Sequence, residues 1–387
     1  MGWPPPENHC RLTSIQFQMA FFESIPPIDS NIVYVLFGFQ NHHHDALSGL
    51  KALAPELKQA ASHFEILVCE QGIRTVIVLA IFESPTAYRR WWSSCPARHW
   101  WLNIPTTAGV WREVYTIPAS RFQSGCNQPK QIGIGNVYMP EPSKRAGFWG
   151  AYRARVPDSA NDTFQLSPVF QSSRGINRQK STKLNPRRVR LSSNPENICF
   201  LREGQDYKIA TPHERSSSDY WNMRQAADSW LASIEERWDR LGGLSFLRCS
   251  RVPDTILVSL DTLDSLIEIP TTEDCVQIAL FQSLGHVERL ARSSHDHLHL
   301  HSSLTELYCP MGKFKDGQSG FWVEMGILPR GGVEAEYVGC VEGTGLMNYE
   351  GHEGFCSLTP FPWLRISLLW KLCVFLVVLL ISLCFWG

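Results

Sequence analysis

Two stretches of sequence decide the fold: TVIVLAIF at residues 75–82 and CVQIALF at residues 275–281. Both are short apolar runs that contain β-branched residues, and such runs are typical of buried strands. The first run ends in Phe-Glu-Ser and has Arg90 six residues after the serine, while the second ends in Phe-Gln-Ser and has Arg289 six residues on. This recurrence, roughly two hundred residues apart, indicates a long internal repeat.

The segments that surround these two runs extend the similarity. In the first half, residues 31–39 predict a buried strand, and leucines at helical spacing predict a helix over residues 46–62. Ser84-Pro85 resembles a helix start, and the helix that follows carries Tyr88, Trp91 and Trp92. In the second half, the predicted elements are a strand at 197–201, an amphipathic helix at 218–241 and a short helix from Ser283.

A strand–helix–strand–helix order that occurs twice predicts an α+β fold made of two related halves. We expect two ferredoxin-like repeats, about residues 30–160 and 195–348, each an antiparallel sheet with helices on one face. In such a dimeric α/β-barrel arrangement, the two sheets would face each other and enclose a ligand pocket. The alternative is that two short stretches are similar by chance.

Composition narrows the class of function. The chain has 36 basic and 37 acidic residues, and this balance disfavours nucleic acid binding, which depends on clustered Lys and Arg. The 12 cysteines are scattered, with no CxxC pair, and no secretory signal precedes them. We therefore expect reduced thiols and a cytoplasmic protein. The basic segment at 175–197 is interpreted as a solvated loop or hairpin, with a docking patch as the alternative.

The last 25 residues, 363–387, form a separate question of localisation. Residues 372–386 carry no charge, and the run spans a bilayer only if Lys371 is tolerated near one end. Three interpretations remain: a transmembrane tail anchor, an unrelated extension of the gene product, and a buried core helix. The expected organisation is an N-terminal extension (1–29), one domain (30–348), a linker (349–362) and this tail.

Four histidines alternate at His295, His297, His299 and His301. A strand would place all four on one face, where they could form a metal cage. A helix continuing from Ser283 would instead place His297 and His301 on one face, and the spacing of Leu290, Leu298 and Leu304 favours the helix. Spacing alone leaves three options open, namely a surface cluster, a single haem ligand and a mononuclear metal site.

The stretch SLGHVERLARSSHDHL at residues 283–298 resembles the haem-ligand segment of the aldoxime dehydratases, the phenylacetaldoxime dehydratase family. In that family the last histidine of the segment binds the iron, and the matching residue is His297. Further similar segments follow in the family's order over roughly residues 30–348: Arg90-Trp91 with Trp100-Trp101, Trp111-Arg112-Glu113, GFWG at 147–150 with Arg153, Arg155 and Pro157, NICFLREGQDY at 197–207, and Glu336-Tyr337-Val338 with Cys340 and Thr344-Gly345.

The resemblance implies a b-type haem and conversion of an aldoxime into a nitrile and water, with the substrate nitrogen bound to ferrous iron. Arg155 matches an arginine that holds the oxime oxygen and could polarise the N–O bond; a structural ion pair is the alternative. Two positions depart from the family. Glu203 replaces a serine, and Val323 replaces the distal histidine. A buried Glu203 with a raised pKa could supply the missing acid.

Other outcomes remain open at this level. The departures also suit a haem-binding paralogue without turnover, such as a sensor or carrier, and a cofactor-free binding module is a third reading. Cys309-Pro310 resembles a thiolate haem ligand, although a buried structural cysteine is the favoured role. The expected partners are a small aldoxime and, through the tail, a membrane. The sequence does not determine the oligomeric state, and a homodimer is one state that it allows.

Overall fold

The computed structural model describes residues 22–41, 44–94, 96–129, 132–143, 152–172, 183–308 and 312–355. Its strands are β1 Phe22–Glu23, β2 Asn31–Gln40, β3 His63–Cys69, β4 Thr75–Phe82, β5 Val110–Pro118, β6 Phe122–Cys126, β7 Glu141–Pro142, β8 Arg188–Leu191, β9 Ile198–Asp206, β10 Gly243–Arg251, β11 Cys275–Phe281, β12 Gly320–Leu328 and β13 Val333–Val338. Its α-helices are α1 His44–Ala60, α2 Pro85–Ser94, α3 Pro96–Asn103, α4 Pro168–Ser172, α5 Pro212–Arg215, α6 Ser218–Arg237, α7 Ile256–Ser259, α8 Leu284–Ser293 and α9 His295–Tyr308.

The described strands form one sheet whose named pairings are all antiparallel, in the order β7-β1-β6-β12-β9-β11-β10-β3-β4-β2-β5-β13-β8. The expected mixed α/β class is therefore confirmed. The order β5-β2-β4-β3 in the first half matches the order β12-β9-β11-β10 in the second. The two quoted runs are β4 and β11, which occupy equivalent places in these four-strand units. A short pairing of β3 with β10, in which Cys69 lies opposite Cys249, joins the units.

The sheet is strongly curled. Tyr34 on β2 and Phe200 on β9 have ring centroids 4.9 Å apart, although four strands lie between them in the sheet order. At about 4.8 Å per strand, a flat sheet would hold these strands about 24 Å apart. The inner faces of the two units therefore meet and bury a common apolar core.

Helices cover the outer face of each unit. The first unit carries α1, α2 and α3, and the second carries α6, α8 and α9. This corrects the expected position of the ligand pocket. The interior between the sheets is filled by aromatic side chains such as Phe200 and Trp322 and by the buried Arg202, whereas His297 belongs to the outer helical layer.

The histidine-rich run differs from the expected continuous helix. Ser294 has extended backbone angles (φ −82°, ψ 120°) and separates α8 from α9. His297 and His301 lie four residues apart on α9, as a helix requires, but Leu298, which was used to argue for the helix, is 42% exposed. The break at Ser294 between α8 and α9, rather than a leucine stripe, determines where the His297 side chain lies.

Part of the basic segment is also more ordered than expected. Residues 188–191 form β8, which pairs with β13, and Arg188 and Arg190 contact the Glu336 carboxylate at 2.7 and 2.9 Å. Over these four residues the segment, expected to be a solvated loop or hairpin, is a strand of the main sheet.

Several predicted features lie outside the described residues: the tail at 363–387, Cys309-Pro310, GFWG at 147–150 and the N-terminal extension as far as residue 21. In the ranges that the structure describes, every helix is too short or too polar to span a membrane.

Candidate active site

His297 is held in a defined ring orientation near the start of α9. Its Nδ1 lies 2.7 Å from the backbone carbonyl oxygen of Ala291 in the last turn of α8. A carbonyl can only accept a hydrogen bond, so Nδ1 must carry the proton in the neutral ring. That tautomer places the lone pair on Nε2, which is the arrangement seen in histidines that ligate a metal through one nitrogen and are oriented through the other.

The surroundings of His297 keep its ring neutral. Burial lowers the pKa of His297, although the hydrogen bond to Ala291 acts in the opposite direction. The indole of Trp230, on α6, lies against the imidazole with ring centroids 4.8 Å apart. An imidazole must be neutral to bind a metal, so this environment suits ligation at ordinary pH.

The other histidines of the run do not form a cage. His295 and His299 are exposed and stack on each other, with ring centroids 6.4 Å apart. His301 is partly buried near His297, and burial lowers its pKa to about 4. Among the described residues, no group of three or more His, Cys, Asp or Glu side chains could hold a metal ion. Of the three options left by spacing, the mononuclear metal site is therefore not formed by the described residues.

Glu203 faces the same helical layer from the sheet. It lies on β9 directly opposite Val323 on β12, and both side chains point away from the inner core because Arg202 and Trp322 occupy the other face. Burial raises the pKa of Glu203 to about 7, although a hydrogen bond with Trp230 acts in the opposite direction. Glu203 and His297 therefore contact the same indole.

Glu203 and His297 are both half-buried. Trp230 contacts both, and Val323, which is 2% exposed, adds an apolar wall beside Glu203.

Tyr152 and Arg155 complete the site from a short 3₁₀ segment, residues 153–155. Both side chains are buried. Burial and the nearby charge of Glu203 raise the pKa of Tyr152, while Arg155 lowers it, so Tyr152 lies within electrostatic reach of both groups. Arg153 anchors the segment to α8 through Glu288, whose Oε1 lies 3.2 Å from Nε.

Two residues that had no predicted role link the predicted ones in pairs. Trp230 contacts both His297 and Glu203, and Tyr152 lies within electrostatic reach of Glu203 and Arg155. Trp230 lies in the predicted amphipathic helix at 218–241, and Tyr152 comes directly before Arg153 and Arg155 of the Arg-x-Arg element. The neighbouring Arg153 forms an ion pair with Glu288.

Behind Glu203, buried ion pairs hold β9 in place. The Arg202 guanidinium donates to Glu324 at 2.8 Å and to Glu65 of the first unit, and it lies 4.3 Å from the Trp322 ring centroid. Although burial alone would raise it, the pKa of Glu65 falls to about 2 beside Arg202. The strand that carries Glu203 is therefore fixed by charges on its opposite face.

Comparison with known proteins agrees with these features. A sequence model of the family described as haem-containing dehydratase matches residues 35–346. The chain is 22% identical over 305 residues to an aliphatic aldoxime dehydratase of Rhodococcus erythropolis, covering 76% of this chain and 78% of that protein. It is 21% identical over 365 residues to an aliphatic aldoxime dehydratase of Pseudomonas chlororaphis, covering 88% and 95%. A crystal structure of an aldoxime dehydratase in complex with butyraldoxime has the same fold, with a TM-score of 0.69, 20% identity and coverage of 85% and 88%.

Proposed function

Because the chain belongs to the family of haem-containing dehydratases, we propose that it converts an aldoxime into a nitrile and water at a haem bound through His297. The observation that carries this proposal is the bond between His297 Nδ1 and the Ala291 carbonyl. It selects the tautomer that binds iron and aims Nε2 away from α8. Trp230 and Val323 would supply apolar walls for the haem and its substrate.

The haem would supply an electron-rich ferrous iron that takes up the oxime nitrogen and weakens the N–O bond. What the protein must add is an acid, because hydroxide is a poor leaving group. Glu203 fits that need. With a pKa of about 7, a large fraction of its carboxyl is protonated at neutral pH, and its proton can pass to the departing oxygen. Water then leaves, and the ionised Glu203 can accept the proton from the aldehydic carbon.

Arg155 and Tyr152 would position the oxime oxygen. An arginine stays charged at any pH that the protein survives, so Arg155 can polarise the N–O bond before a proton arrives. The raised pKa of Tyr152 keeps its hydroxyl protonated, so it can donate a hydrogen bond but cannot act as the acid. This division leaves Glu203 as the proton donor of the site.

The replacement of Glu203 by glutamine tests the assignment. We expect Glu203→Gln to retain haem, because the amide oxygen can still accept from Trp230, and to lower nitrile formation by about 10²- to 10⁴-fold, the usual contribution of an acid–base group. Dithionite-reduced protein is incubated without oxygen with phenylacetaldoxime, and nitrile is measured by gas chromatography. Unchanged turnover in the variant would remove Glu203 from the mechanism.

A second candidate function is haem binding without turnover, as in a sensor or carrier. Val323 favours it, since an apolar side chain 2% exposed stands where the family's acid–base histidine is expected. One assay distinguishes the two candidate functions, a dehydratase and a haem carrier. A wild-type protein that binds haem but yields no nitrile from several aldoximes would support the carrier.

Three further proposals concern the whole chain. The matching strand orders support two ferredoxin-like repeats within a domain of residues 30–348.

The uncharged run 372–386 supports membrane attachment by the tail at 363–387. Membrane fractionation of the full chain, compared with a chain that ends at residue 362, tests this attachment. Whether the protein assembles as a homodimer can be measured by light scattering.

A further inference from the structure

Two cysteines face each other where the two four-strand units join in the sheet. In the short ladder between β3 and β10, Cys69 lies directly opposite Cys249. Both residues are buried in the core between the inner faces of the units, and both thiols are free. Neither residue belongs to the proposed haem site, so the pair calls for its own explanation.

The ladder brings the two cysteines within bridging distance. At the next position beyond the ladder, Val252 donates its amide hydrogen to the carbonyl oxygen of Ile66 at 2.9 Å. Hydrogen-bonded and non-hydrogen-bonded pairs alternate along an antiparallel ladder, so the cysteines, three positions away, form a non-hydrogen-bonded pair with Cα atoms about 4.5 Å apart. Two cysteines can be bridged when their Cα atoms are about 4.4–6.8 Å apart.

The two thiols differ in acidity. A hydrogen bond with the Cys249 thiol lowers the pKa of Cys69, although burial acts in the opposite direction, and the backbone amides of Gln71 and Arg248 lower it further. The same hydrogen bond, together with burial, raises the pKa of Cys249 well above the usual value of a thiol. Because the thiolate is the reactive form of cysteine, Cys69 is the nucleophile of the pair.

Cys69 is also the member of the pair that a small molecule can reach. It borders a cavity of about 280 Å³ at the end of the sheet, whose lining includes Gln71 but not Cys249. The Cys69 Sγ lies 3.5 Å from Gln71 Oε1, so the sulfur lies against a residue of the cavity wall. Since one water needs only about 10–15 Å³ of such space, the cavity admits a molecule as small as hydrogen peroxide.

We propose that Cys69 and Cys249 are a redox-sensitive pair, which a peroxide oxidises to a disulfide across the junction of the two units. Disulfides in a reducing compartment are transient, so this site agrees with the reduced thiols expected from the sequence. The pair is separate from the haem chemistry, and it does not depend on whether the haem site turns over an aldoxime.

The oxidation takes two steps. The Cys69 thiolate attacks one oxygen of hydrogen peroxide, the O–O bond breaks, and Cys69 becomes a sulfenic acid while the other oxygen takes up a proton and leaves as water. The Cys249 sulfur then attacks the Cys69 sulfur. The S–S bond forms, the S–O bond breaks, and the Cys249 proton leaves with the hydroxyl group as a second water. The two thiols lose two electrons to the peroxide, and a dithiol reductant reverses the reaction.

The disulfide would change the stability of the whole domain. It encloses residues 70–248 in a covalent loop, and the conformational entropy that a disulfide removes from the unfolded chain grows with the length of its loop. We expect oxidation to raise the midpoint of thermal unfolding by about 5 °C.

Peptide mapping of the haem-loaded full chain tests the pairing. The protein is treated with a small molar excess of hydrogen peroxide, unfolded, alkylated with iodoacetamide and digested with trypsin. Cleavage after Lys and Arg places Cys69 in a peptide of residues 59–74, Cys249 in one of residues 249–251 and Cys275 in one of residues 252–289. We expect the first two peptides to be joined, and to separate with dithiothreitol.

The same map shows the results that would overturn the proposal. These are wild-type protein in which both cysteines remain open to alkylation, Cys69 oxidised to a sulfinic acid beside an alkylated Cys249, and Cys249 joined to Cys275. None of these readouts requires a variant that folds.

Variants test the order of the two steps. In Cys249→Ser the sulfenic acid has no partner, so we expect dimedone to label Cys69 and the thermal midpoint not to rise. Cys275→Ser is the matched control, because Cys275 is a half-buried cysteine on the neighbouring strand β11, and it should form the disulfide as the wild type does. A rise of the midpoint in Cys249→Ser equal to that of the wild type would overturn the proposal.

Discussion

At the scale of single residues, the bond between His297 and Ala291 makes a selective prediction. We expect His297→Ala to lose haem, because the variant removes the one nitrogen aimed by that bond. His299→Ala is the matched control, since His299 lies two residues away on the same helix but is exposed. The ratio of Soret to protein absorbance after purification measures both. Stoichiometric haem in His297→Ala would contradict the ligand assignment.

Trp230 should set the acidity of the active site. Its hydrogen bond lowers the pKa of Glu203 against the larger effect of burial. In Trp230→Phe that bond is lost, so the pKa of Glu203 should rise above its wild-type value of about 7. In the wild type, turnover should fall as the pH rises through about 7, because the acid form is lost, and in the variant this fall should move to higher pH. A pH–rate profile that is the same in Trp230→Phe and in the wild type would argue against the contact between Trp230 and Glu203.

Glu203 also makes a prediction for stability. Its folded pKa of about 7 lies above the value of about 4.3 in an unfolded chain, so the folded state binds the proton more tightly. The stability linked to this proton is full below about pH 4.3 and is lost as the pH rises through about 7. Glu203→Gln does not titrate, so at pH 8 we expect it to exceed the wild type by on the order of 1–3 kcal/mol in free energy of unfolding.

Urea unfolding of the two haem-loaded proteins at pH 4.5 and pH 8 measures this difference. The difference in free energy of unfolding between the two proteins should be small at pH 4.5 and larger at pH 8. A gap of equal size at both values would show that packing, rather than the proton, separates the two proteins.

At the scale of elements, β9, the strand that carries Glu203, is held in place by buried ion pairs on the face opposite Glu203. Arg202→Met should cost about 3–5 kcal/mol, because Glu324 would remain buried without a cation and Glu65 would keep only Arg251, at 3.4 Å. Arg248→Met, which removes an exposed contact with Asp228 at 2.6 Å, should cost less than about 1 kcal/mol. Chemical denaturation compares the two; equal losses would show that Arg202 does not hold β9.

The sequence was most informative about the secondary-structure elements. The runs at 75–82 and 275–281 were predicted with their full limits, because an uninterrupted apolar run is the signature of a strand buried on both sides. The strands β3 and β10 were missed. β10 begins with three buried residues, is mostly half-buried after them and includes Arg248, a mixture that a hydrophobic pattern does not separate from a loop.

At the scale of the whole molecule, the sequence could not show which residues meet. Arg202 and Glu65 are 137 positions apart, and their contact exists only because the sheet curls until its units face each other. For the same reason, the sequence placed the ligand pocket between the sheets. The residues of the site were predicted by resemblance to a family motif, but Trp230 and Tyr152 became visible only once the helices were packed on β9.

The curled sheet does not close on itself. Within the described chain, its order begins with β7 and ends with β8, so two strand edges remain, and each could pair with another molecule. β7 is two residues long and ends in Pro142, which has no amide hydrogen to donate, while Arg188 and Arg190 place positive charge along β8. Short, charged or proline-bearing edges resist strand addition. We therefore expect the arginines of β8 to disfavour edge-to-edge pairing between copies of the protein.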